Sequence, residues 1–322
     1  MKITIDNREI TVLEGETILE AATRAGISIP SMCYAKDKKH KEGCMVCIVK
    51  DLASGQMVPS CVTPAKEGMQ IDSTSDEVLR HRRIALELLL SDHRADCEAP
   101  CTLVCPHGLD VEQFLAAYDN GAFEEARAIL KRAFSSLPTI ACDECKAPCE
   151  KACRRGSVDK SVAIRDIIRE VAAMDSLSNV ETAPSKAKIG KDEFFSRVGI
   201  FSENEKERLR KSYNTSSRCM HCACDGREEC RLRAYAKEAG IKRSQYGLST
   251  KQSVKLTIEV NEHLRFEPAK CIRCGLCVYN SDNGFTFIGR GFDMQVAIPD
   301  ANKCNADDNL AKLCPTGALY LK

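Results

Sequence analysis

Residues 33–61 read CYAKDKKHKEGCMVCIVKDLASGQMVPSC, and this stretch decides how the N-terminal part of the chain must fold. It carries four cysteines with the spacing Cys-x10-Cys-x2-Cys-x13-Cys, at Cys33, Cys44, Cys47 and Cys61. An iron–sulfur cluster needs four thiolates that converge on one inorganic core, and a close pair with two flanking cysteines supplies them. Structural zinc sites usually combine two short Cys-x2-Cys pairs, and only one is present here. The spacing therefore favours an iron–sulfur cluster over zinc.

The composition is that of a globular chain with an unusual cysteine content. Of 322 residues, 20 are cysteine, and 47 basic against 46 acidic side chains leave a net charge of +1. This balance predicts neither nucleic acid nor an anionic membrane as a partner, and no apolar run reaches the roughly 18 residues of a membrane span. Residues 1–15 lack a basic segment followed by an apolar core, so we expect no secretory signal and a cytoplasmic protein with reduced, metal-binding thiols.

The residues on either side of the first cysteine group predict a small α+β domain. Residues 3–12 alternate apolar and polar side chains about a central Asp-Asn pair, which is typical of a β-hairpin. Residues 16–25 have the apolar spacing of a helix. Thr74 predicts the N-cap of a second helix that runs toward His93. We expect this domain and its connecting helix to end near residue 90.

Three regions follow this domain. Residues 91–175 read as helical, with an N-cap at Asp110 and amphipathic stretches over residues 123–134 and 162–174. Residues 176–216 are polar and rich in serine, which is typical of a linker. Residues 217–322 form the last predicted domain and carry nine cysteines.

The first domain resembles a known family through three segments. Residues 10–34 (ITVLEGETILEAATRAGISIPSMCY), 42–49 (EGCMVCIV) and 58–69 (VPSCVTPAKEGM) resemble the plant-type [2Fe-2S] ferredoxin domain that opens the large iron–sulfur subunit of respiratory complex I and of [FeFe] hydrogenases. The resemblance covers essentially all of residues 1–90. It implies that the first cysteine group holds a [2Fe-2S] cluster.

The second cysteine group resembles a different family. Residues 97–111 (CEAPCTLVCPHGLDV) and 142–166 (CDECKAPCEKACRRGSVDKSVAIRD) resemble the helical domain with two [4Fe-4S] clusters of glutamate synthase small subunits and dihydropyrimidine dehydrogenases. The complex I family also has a His-x3-Cys motif after its first domain, and His93 stands at that spacing before Cys97. These resemblances imply two ligand sets, His93, Cys97, Cys101 and Cys153 in one and Cys105, Cys142, Cys145 and Cys149 in the other.

Two assignments in these sets have alternatives. The glutamate synthase family often takes its last ligand from a Gln or Glu on the following helix, where this chain has Ile168, and we place Cys142 in that role. His93 would equally suit the C-terminus of a helix, where a cation interacts favourably with the helix dipole.

Two more cysteine groups lie in the last domain. The first, Cys219, Cys222, Cys224 and Cys230, falls within twelve residues and predicts one [4Fe-4S] cluster. Residues 224–236 resemble the Cys-x5-Cys end of the complex I motif, but His221 stands where that family has a cysteine, and zinc is the alternative. Residues 271–278 (CIRCGLCV), 289–296 (GRGFDMQV) and 314–319 (CPTGAL) resemble the [4Fe-4S] domain of the complex I large subunit. That resemblance implies ligation by Cys271, Cys274, Cys277 and Cys314.

The groups add up to one [2Fe-2S] and four [4Fe-4S] clusters, with Cys304 left over as a small buried apolar residue. The expected architecture is α+β and multidomain: a plant-type ferredoxin domain, a helical double-cluster domain and a C-terminal ferredoxin-like domain. The sequence has no Gly-x-Gly-x-x-Gly after a strand, no Walker loop and no Gly-x-Ser-x-Gly, so we expect no flavin, nucleotide or catalytic site in it.

These features predict an electron-transfer subunit of a cytoplasmic multi-subunit oxidoreductase, with no substrate site of its own. The resemblances imply a hetero-oligomer with a flavin subunit that uses NAD(P)H and a second redox partner of the hydrogenase, formate dehydrogenase or ferredoxin type. An iron–sulfur redox sensor is one alternative, although no DNA-binding or signalling module is evident. A zinc-binding structural adaptor is another, and it would be colourless.

Overall fold

The computed structural model describes residues 1–93, 96–134, 142–174, 203–212, 215–224, 229–241, 246, 257–282, 284–298 and 308–321. The chain forms two units. The sheet unit comprises residues 1–94, 225–252 and 256–322, and the helical unit comprises residues 95–224 with 253–255. Residues 217–224, which the sequence grouped with the last domain, thus belong to the helical unit. The chain is an α+β multidomain protein.

The N-terminal part of the sheet unit is a five-stranded sheet with the strand order β2-β1-β5-β3-β4. The strands are β1 (Lys2–Ile5), β2 (Arg8–Thr11), β3 (Ile48–Asp51), β4 (Met57–Pro59) and β5 (Gln70–Asp72). The predicted hairpin is present as β1 and β2, with Ile3 opposite Ile10. Asp6 and Asn7 have φ values of 48° and 64°, the left-handed conformation that a two-residue hairpin turn requires.

Two helices accompany this sheet, α1 (Ile18–Arg24) and α2 (Asp76–Asp92). A capping box fixes the start of α1, because the side chains of Thr17 and Glu20 each accept a hydrogen bond from the other's backbone N–H. Helix α2 begins one residue later than predicted, since its N-cap is Ser75.

Arg82 connects α2 to the first cysteine loop. This arginine is 7% exposed, and its Nε and Nη2 donate to the carbonyl oxygen of Ile48 at 3.0 and 2.9 Å. Because Ile48 directly follows Cys47, the contact holds the end of the cysteine loop against the helix.

Besides a 3-10 helix at Arg154–Ser157, the helical unit contains six α-helices within its described residues. They are α3 (Pro100–Leu103), α4 (Val111–Asp119), α5 (Phe123–Ala133), α6 (Pro148–Lys151), α7 (Ile164–Ala173) and α8 (Glu203–Ser212). The predicted N-cap is confirmed, because the Asp110 carboxylate accepts from the Gln113 N–H at 3.1 Å. Helix α8 falls within the predicted linker, of which residues 176–202, 213 and 214 lie outside the described part of the chain.

Helix α7 buries one apolar face in the core of the helical unit. Its residues Ile164, Ile167, Ile168 and Val171 follow the spacing i, i+3, i+4 and i+7. Arg127 on α5 donates from Nη1 to the carbonyls of Val171 and Ala172 at 3.0 and 3.1 Å, and so satisfies the last turn of α7.

The C-terminal part of the sheet unit contains two small antiparallel sheets. Their strands are β6 (Ile258–Glu259), β7 (Leu264–Phe266) and β10 (Leu319–Leu321) in one sheet and β8 (Thr286–Ile288) and β9 (Gln295–Ala297) in the other. The helices of this part are α9 (Arg231–Glu238), α10 (Leu276–Tyr279) and α11 (Asn309–Leu313). Its core includes Phe266, Phe285 and Val296. Cys304 lies outside the described residues.

No helix in the described segments combines the length and the apolar character that crossing a bilayer demands.

We predict that Arg82→Ala destabilises the sheet unit by about 3 kcal/mol. The substitution removes a buried charged hydrogen-bond donor, so the Ile48 carbonyl oxygen loses both hydrogen bonds from the guanidinium. The measurement is the urea concentration at which the visible circular dichroism of the [2Fe-2S] cluster is half lost. Arg80→Ala, an exposed position on the same helix, is the control and should leave that midpoint unchanged. Equal midpoints for the two variants would show that Arg82 does not hold the loop.

Candidate iron–sulfur cluster sites

The first cysteine group is a tight, buried cluster of thiols. Cys33, Cys44, Cys47 and Cys61 are each 4% exposed or less. The Sγ atoms of Cys33 and Cys44 are 3.4 Å apart, and the thiols of Cys47 and Cys61 are hydrogen-bonded. Two sulfur ligands of one tetrahedral metal ion at about 2.3 Å lie about 3.8 Å from each other. Cys33 is also hydrogen-bonded to Cys61, so the four thiols form one connected group that suits a small iron–sulfur cluster.

The thiols of this group do not ionise independently. A hydrogen bond from Cys61 lowers the pKa of Cys47 to about 7, whereas contacts with Cys33 and Cys47 raise the pKa of Cys61. Four thiolates in one buried site would repel one another. Iron at the centre of the group would supply the positive charge that lets all four ionise.

Backbone N–H groups point at the sulfur atoms of this loop. The Val46 N–H donates to Cys44 Sγ at 3.4 Å, and Met45 between them has a φ of 54°. Such hydrogen bonds to sulfur are one means by which a protein sets the reduction potential of a cluster.

The last cysteine group lines one cavity of the sheet unit, formed in part by Cys271, Cys274, Cys277 and Cys314. The Arg273 N–H donates to Cys271 Sγ at 3.3 Å and the Leu319 N–H donates to Cys314 Sγ at 3.4 Å. Arg273 has a φ of 58°, which turns its N–H back toward the first cysteine of the Cys-x2-Cys loop. Burial raises the pKa of the Cys271 thiol to about 12, so a thiolate here needs a neighbouring positive charge.

Gly275 allows the loop of the last group to turn. Its φ of 80° is in the left-handed region, and a Cβ at this position would lie 2.5 Å from Tyr279 Cε2 and 3.2 Å from Phe287 Cζ. Both backbone conformation and space therefore require glycine beside Cys274.

We predict that Gly275→Ala lowers occupancy of the cluster at the last group, with a loss of up to about four irons per chain. Gly291→Ala is the matched control, because Gly291 also has a positive φ, 56°, but nothing lies within 4 Å of the place that its Cβ would take. Iron analysis and electron paramagnetic resonance of both variants check the prediction. Equal iron contents in the two variants would contradict it.

Within the sheet unit, the first and last cysteine groups are neighbours. Cys33 is close enough to contribute to the raised pKa of Cys274. The side chain of Asn280 accepts from the Lys39 N–H at 3.1 Å and donates to the Lys39 carbonyl at 2.8 Å. A cavity of about 530 Å³ is lined by residues of both loops, among them Cys44 and Cys274. The two candidate clusters would therefore lie side by side.

One thiol group of the helical unit matches a predicted ligand set. Burial raises the pKa of Cys142 to about 11 and that of Cys149 to about 12, and Cys105 and Cys145 add to both shifts through their charge. These four thiols therefore lie near one another. Ile168 is 2% exposed in the same apolar core and offers no donor atom, which favours Cys142 as the fourth ligand.

A second thiol group of the helical unit combines two of the predicted sets. Cys101 and Cys153 line one cavity together with Cys219 and Cys222, whereas the sequence placed these pairs in separate clusters. The pKa of Cys101 is raised, first by burial and then by the charges of Cys219, Cys222 and Cys153. The sequence missed this arrangement because the two pairs are far apart along the chain.

The other predicted ligands occupy several elements. His93 is the C-cap of α2, and Cys230 is the N-cap of α9, where its Sγ accepts from the Arg233 N–H at 3.5 Å. Cys224 belongs to the helical unit, and its N–H donates to the Cys97 carbonyl at 3.4 Å. The third predicted set is thus divided between the units, since Cys230 belongs to the sheet unit.

The spacing of the side chains bears on the choice between clusters and zinc. Across the segments that the structure describes, no three His, Cys, Asp or Glu side chains come close enough to hold a single metal ion. The ligands of one zinc ion must approach to about 3.8 Å of each other, as bond lengths near 2.3 Å require.

The fold and these thiol groups define an iron–sulfur protein with [2Fe-2S] and [4Fe-4S] domains. Residues 1–76 match the family described as 2Fe-2S iron-sulfur cluster binding domain. Residues 91–180 match the family described as dihydropyrimidine dehydrogenase domain II, 4Fe-4S cluster. The chain therefore contains one domain of each family, which confirms the two resemblances stated for these regions.

The chain is also similar to subunits of larger redox enzymes. The NADP-reducing hydrogenase subunit HndD of Solidesulfovibrio fructosivorans is 30% identical over 60% of this chain and 42% of the relative. The NADPH-Fe(3+) oxidoreductase subunit alpha of Geobacter sulfurreducens is 35% identical over 41% of this chain and 15% of the relative. The mitochondrial NADH-ubiquinone oxidoreductase 78 kDa subunit of Candida albicans is 28% identical over 45% and 20%. The chain spans less than half the length of each relative.

A solved structure has a similar fold. A chain of the NAD+-reducing [NiFe]-hydrogenase in the H2-reduced state superposes with a TM-score of 0.54 at 19% identity, over 100% of this chain and 87% of that chain. At this identity the likeness concerns the fold.

Proposed function

We propose that this chain is the electron-transfer subunit of a cytoplasmic multi-subunit oxidoreductase. In this role it relays electrons between a subunit that uses a flavin and NAD(P)H and a second redox partner of the hydrogenase, formate dehydrogenase or ferredoxin type. The named relatives support the proposal, since each is a subunit of an enzyme whose name includes NADH, NADP or NADPH. The chain itself would take no part in bond chemistry.

The adjacency of the Cys33 and Cys274 loops is the observation that carries this proposal. Electrons pass between two clusters only when their thiol loops lie close together, and here the Asn280 amide fastens one loop to the other. Cys33 lies near enough to Cys274 to affect its pKa. Two adjacent clusters make a path, whereas a structural adaptor has no need of adjacent sites.

The proposed cofactors are one [2Fe-2S] and four [4Fe-4S] clusters. Their role would be reversible one-electron oxidation and reduction. The sets that the packing supports are Cys33, Cys44, Cys47 and Cys61 for the [2Fe-2S] cluster, and Cys271, Cys274, Cys277 and Cys314 and also Cys105, Cys142, Cys145 and Cys149 for two [4Fe-4S] clusters. The remaining candidate ligands would serve two further clusters.

The protein's own residues would hold the clusters rigidly and keep water away. Each thiol of the first group is almost fully buried, and Arg82 fixes the end of its loop. The N–H groups of Val46 and Arg273 would stabilise negative charge on the ligating sulfur atoms. A rigid, partly dry site lowers the reorganisation that accompanies each electron transfer.

We predict that Cys274→Ser removes or alters one [4Fe-4S] signal and spares the [2Fe-2S] signal in electron paramagnetic resonance of the reduced chain. The electron spin relaxation of the [2Fe-2S] cluster should also slow, because the paramagnetic [4Fe-4S] cluster proposed beside it would be lost or altered. Ile288→Ser, at an exposed position of β8, is the control and should leave both signals as they are. Loss of the [2Fe-2S] signal, or unchanged relaxation, would contradict a relay through adjacent clusters.

A further inference from the structure

We propose that Cys101, Cys153, Cys219 and Cys222 hold a single [4Fe-4S] cluster. This inference rests on the proposed function and refines it. Cys101 and Cys153 lie within the residues that match the 4Fe-4S family, whereas Cys219 and Cys222 lie beyond them. The matched family segment ends at residue 180. The cluster would therefore use a ligand pair that the family match does not contain.

All four cysteines line a small cavity of the helical unit, which is otherwise surrounded largely by apolar residues such as Leu115 and Val162. Four thiols is the number that a [4Fe-4S] cluster requires.

The local shape of the Cys219–Cys222 loop also suits a cluster ligand pair. His221 has a φ of 44°, and its N–H donates to Cys219 Sγ at 3.3 Å. Arg273 has the same place in the Cys271–Cys274 loop, with a φ of 58° and an N–H that donates to Cys271 Sγ at 3.3 Å. The two Cys-x2-Cys loops thus have the same turn, and in both the first sulfur accepts a backbone hydrogen bond.

Hydrogen bonds anchor the Cys219–Cys222 loop to the rest of the helical unit. The Asp119 side chain, at the end of α4, is 5% exposed. It accepts from the N–H and the hydroxyl of Ser217 at 2.7 and 2.5 Å, and it lies 3.2 Å from His221 Nε2. The Ser217 hydroxyl in turn accepts from the Cys219 N–H at 3.0 Å. These bonds fix the two cysteines against the helix that carries Leu115, another residue of the cavity wall.

The charged side chains at the cavity also suit a cluster. A [4Fe-4S] cluster with four thiolate ligands is anionic, and two arginines, Arg154 and Arg155, line the cavity beside one carboxylate, Glu112. Arg154 is held in place by Asp96, with Nε and Nη2 bonds of 2.9 and 3.0 Å. The guanidinium therefore lies where it would stabilise a negative cluster.

The test asks whether Cys101 and Cys219 serve the same cluster. Iron per chain is measured in the purified full-length protein for Cys101→Ala, Cys219→Ala and the double variant. Each single variant should lose about four irons, the content of one [4Fe-4S] cluster. The double variant should also lose about four, because its two substitutions remove one cluster. The control double variant Cys149→Ala with Cys219→Ala should lose about eight, the content of two such clusters.

Serine variants provide a second readout that does not depend on losing the cluster. Cys101→Ser and Cys219→Ser retain an oxygen ligand, and both should alter the same signal in Mössbauer and electron paramagnetic resonance spectra. Cys149→Ser should alter a different one. A loss of about eight irons in the Cys101 and Cys219 double alanine variant, or two different altered signals in the serine pair, would overturn this inference. The proposed function would be unaffected by either of those results. A wild-type chain that contains no iron would contradict both this inference and the proposed function.

Discussion

A buried thiolate needs nearby positive charge or hydrogen-bond donors, and this constraint governs most of the chain. The Cys33 and Cys44 sulfurs are 3.4 Å apart and nearly inaccessible to water. Burial raises the pKa of thiols such as Cys142 and Cys271, so their ionised form requires a cation. In the proposed relay, iron would supply that charge. Both units are therefore arranged to bring sulfur atoms together, and the helices and strands serve mainly to position loops.

Two Cys-x2-Cys loops of the chain share one backbone turn. A short Cys-x2-Cys segment must present two sulfurs in the same direction while its own N–H groups face them. Left-handed residues achieve this at Arg273 and His221, and Gly275 continues the turn where a side chain would collide with Tyr279. Other contacts then fix each loop to its support, Arg82 for the first group and Asp119 for Cys219. Rigid thiol loops of this kind suit electron transfer better than a site that must open for a substrate.

The sequence was most informative where the signals are local. The Asp6-Asn7 turn, the Asp110 N-cap and the apolar face of α7 all follow from neighbouring residues, and each is present in the structure. The start of α2 was missed by one residue because Thr74 and Ser75 are both good N-caps. In the structure the Ser75 hydroxyl accepts from the Val78 N–H, whereas the Thr74 hydroxyl donates to the distant Asp6 carboxylate. The spacing predicted the first thiol group and the Cys271–Cys277 run of the last group, whereas Cys314 was assigned through the resemblance to the complex I subunit. The grouping of Cys101 with Cys219 does not follow from spacing, because it depends on how the chain returns to the first part of the helical unit after more than a hundred residues.

Residues outside the cysteine motifs were also beyond sequence reasoning. Asn280 is hydrogen-bonded to Lys39, 241 residues earlier in the chain. Arg154 lines the cavity of the helical unit, and Asp96 holds its guanidinium there. Neither has a local pattern that distinguishes it from an ordinary surface residue. Such contacts nevertheless determine whether two clusters are neighbours, which is the property that makes a relay.

The most direct measurement is metal analysis of the anaerobically purified full-length chain, combined with Mössbauer spectroscopy. One [2Fe-2S] and four [4Fe-4S] clusters correspond to about 18 irons per chain and an equal amount of labile sulfide. Our account predicts these amounts, with a single [2Fe-2S] component in the spectrum. Zinc in place of iron, or iron limited to the first cysteine group, would contradict it.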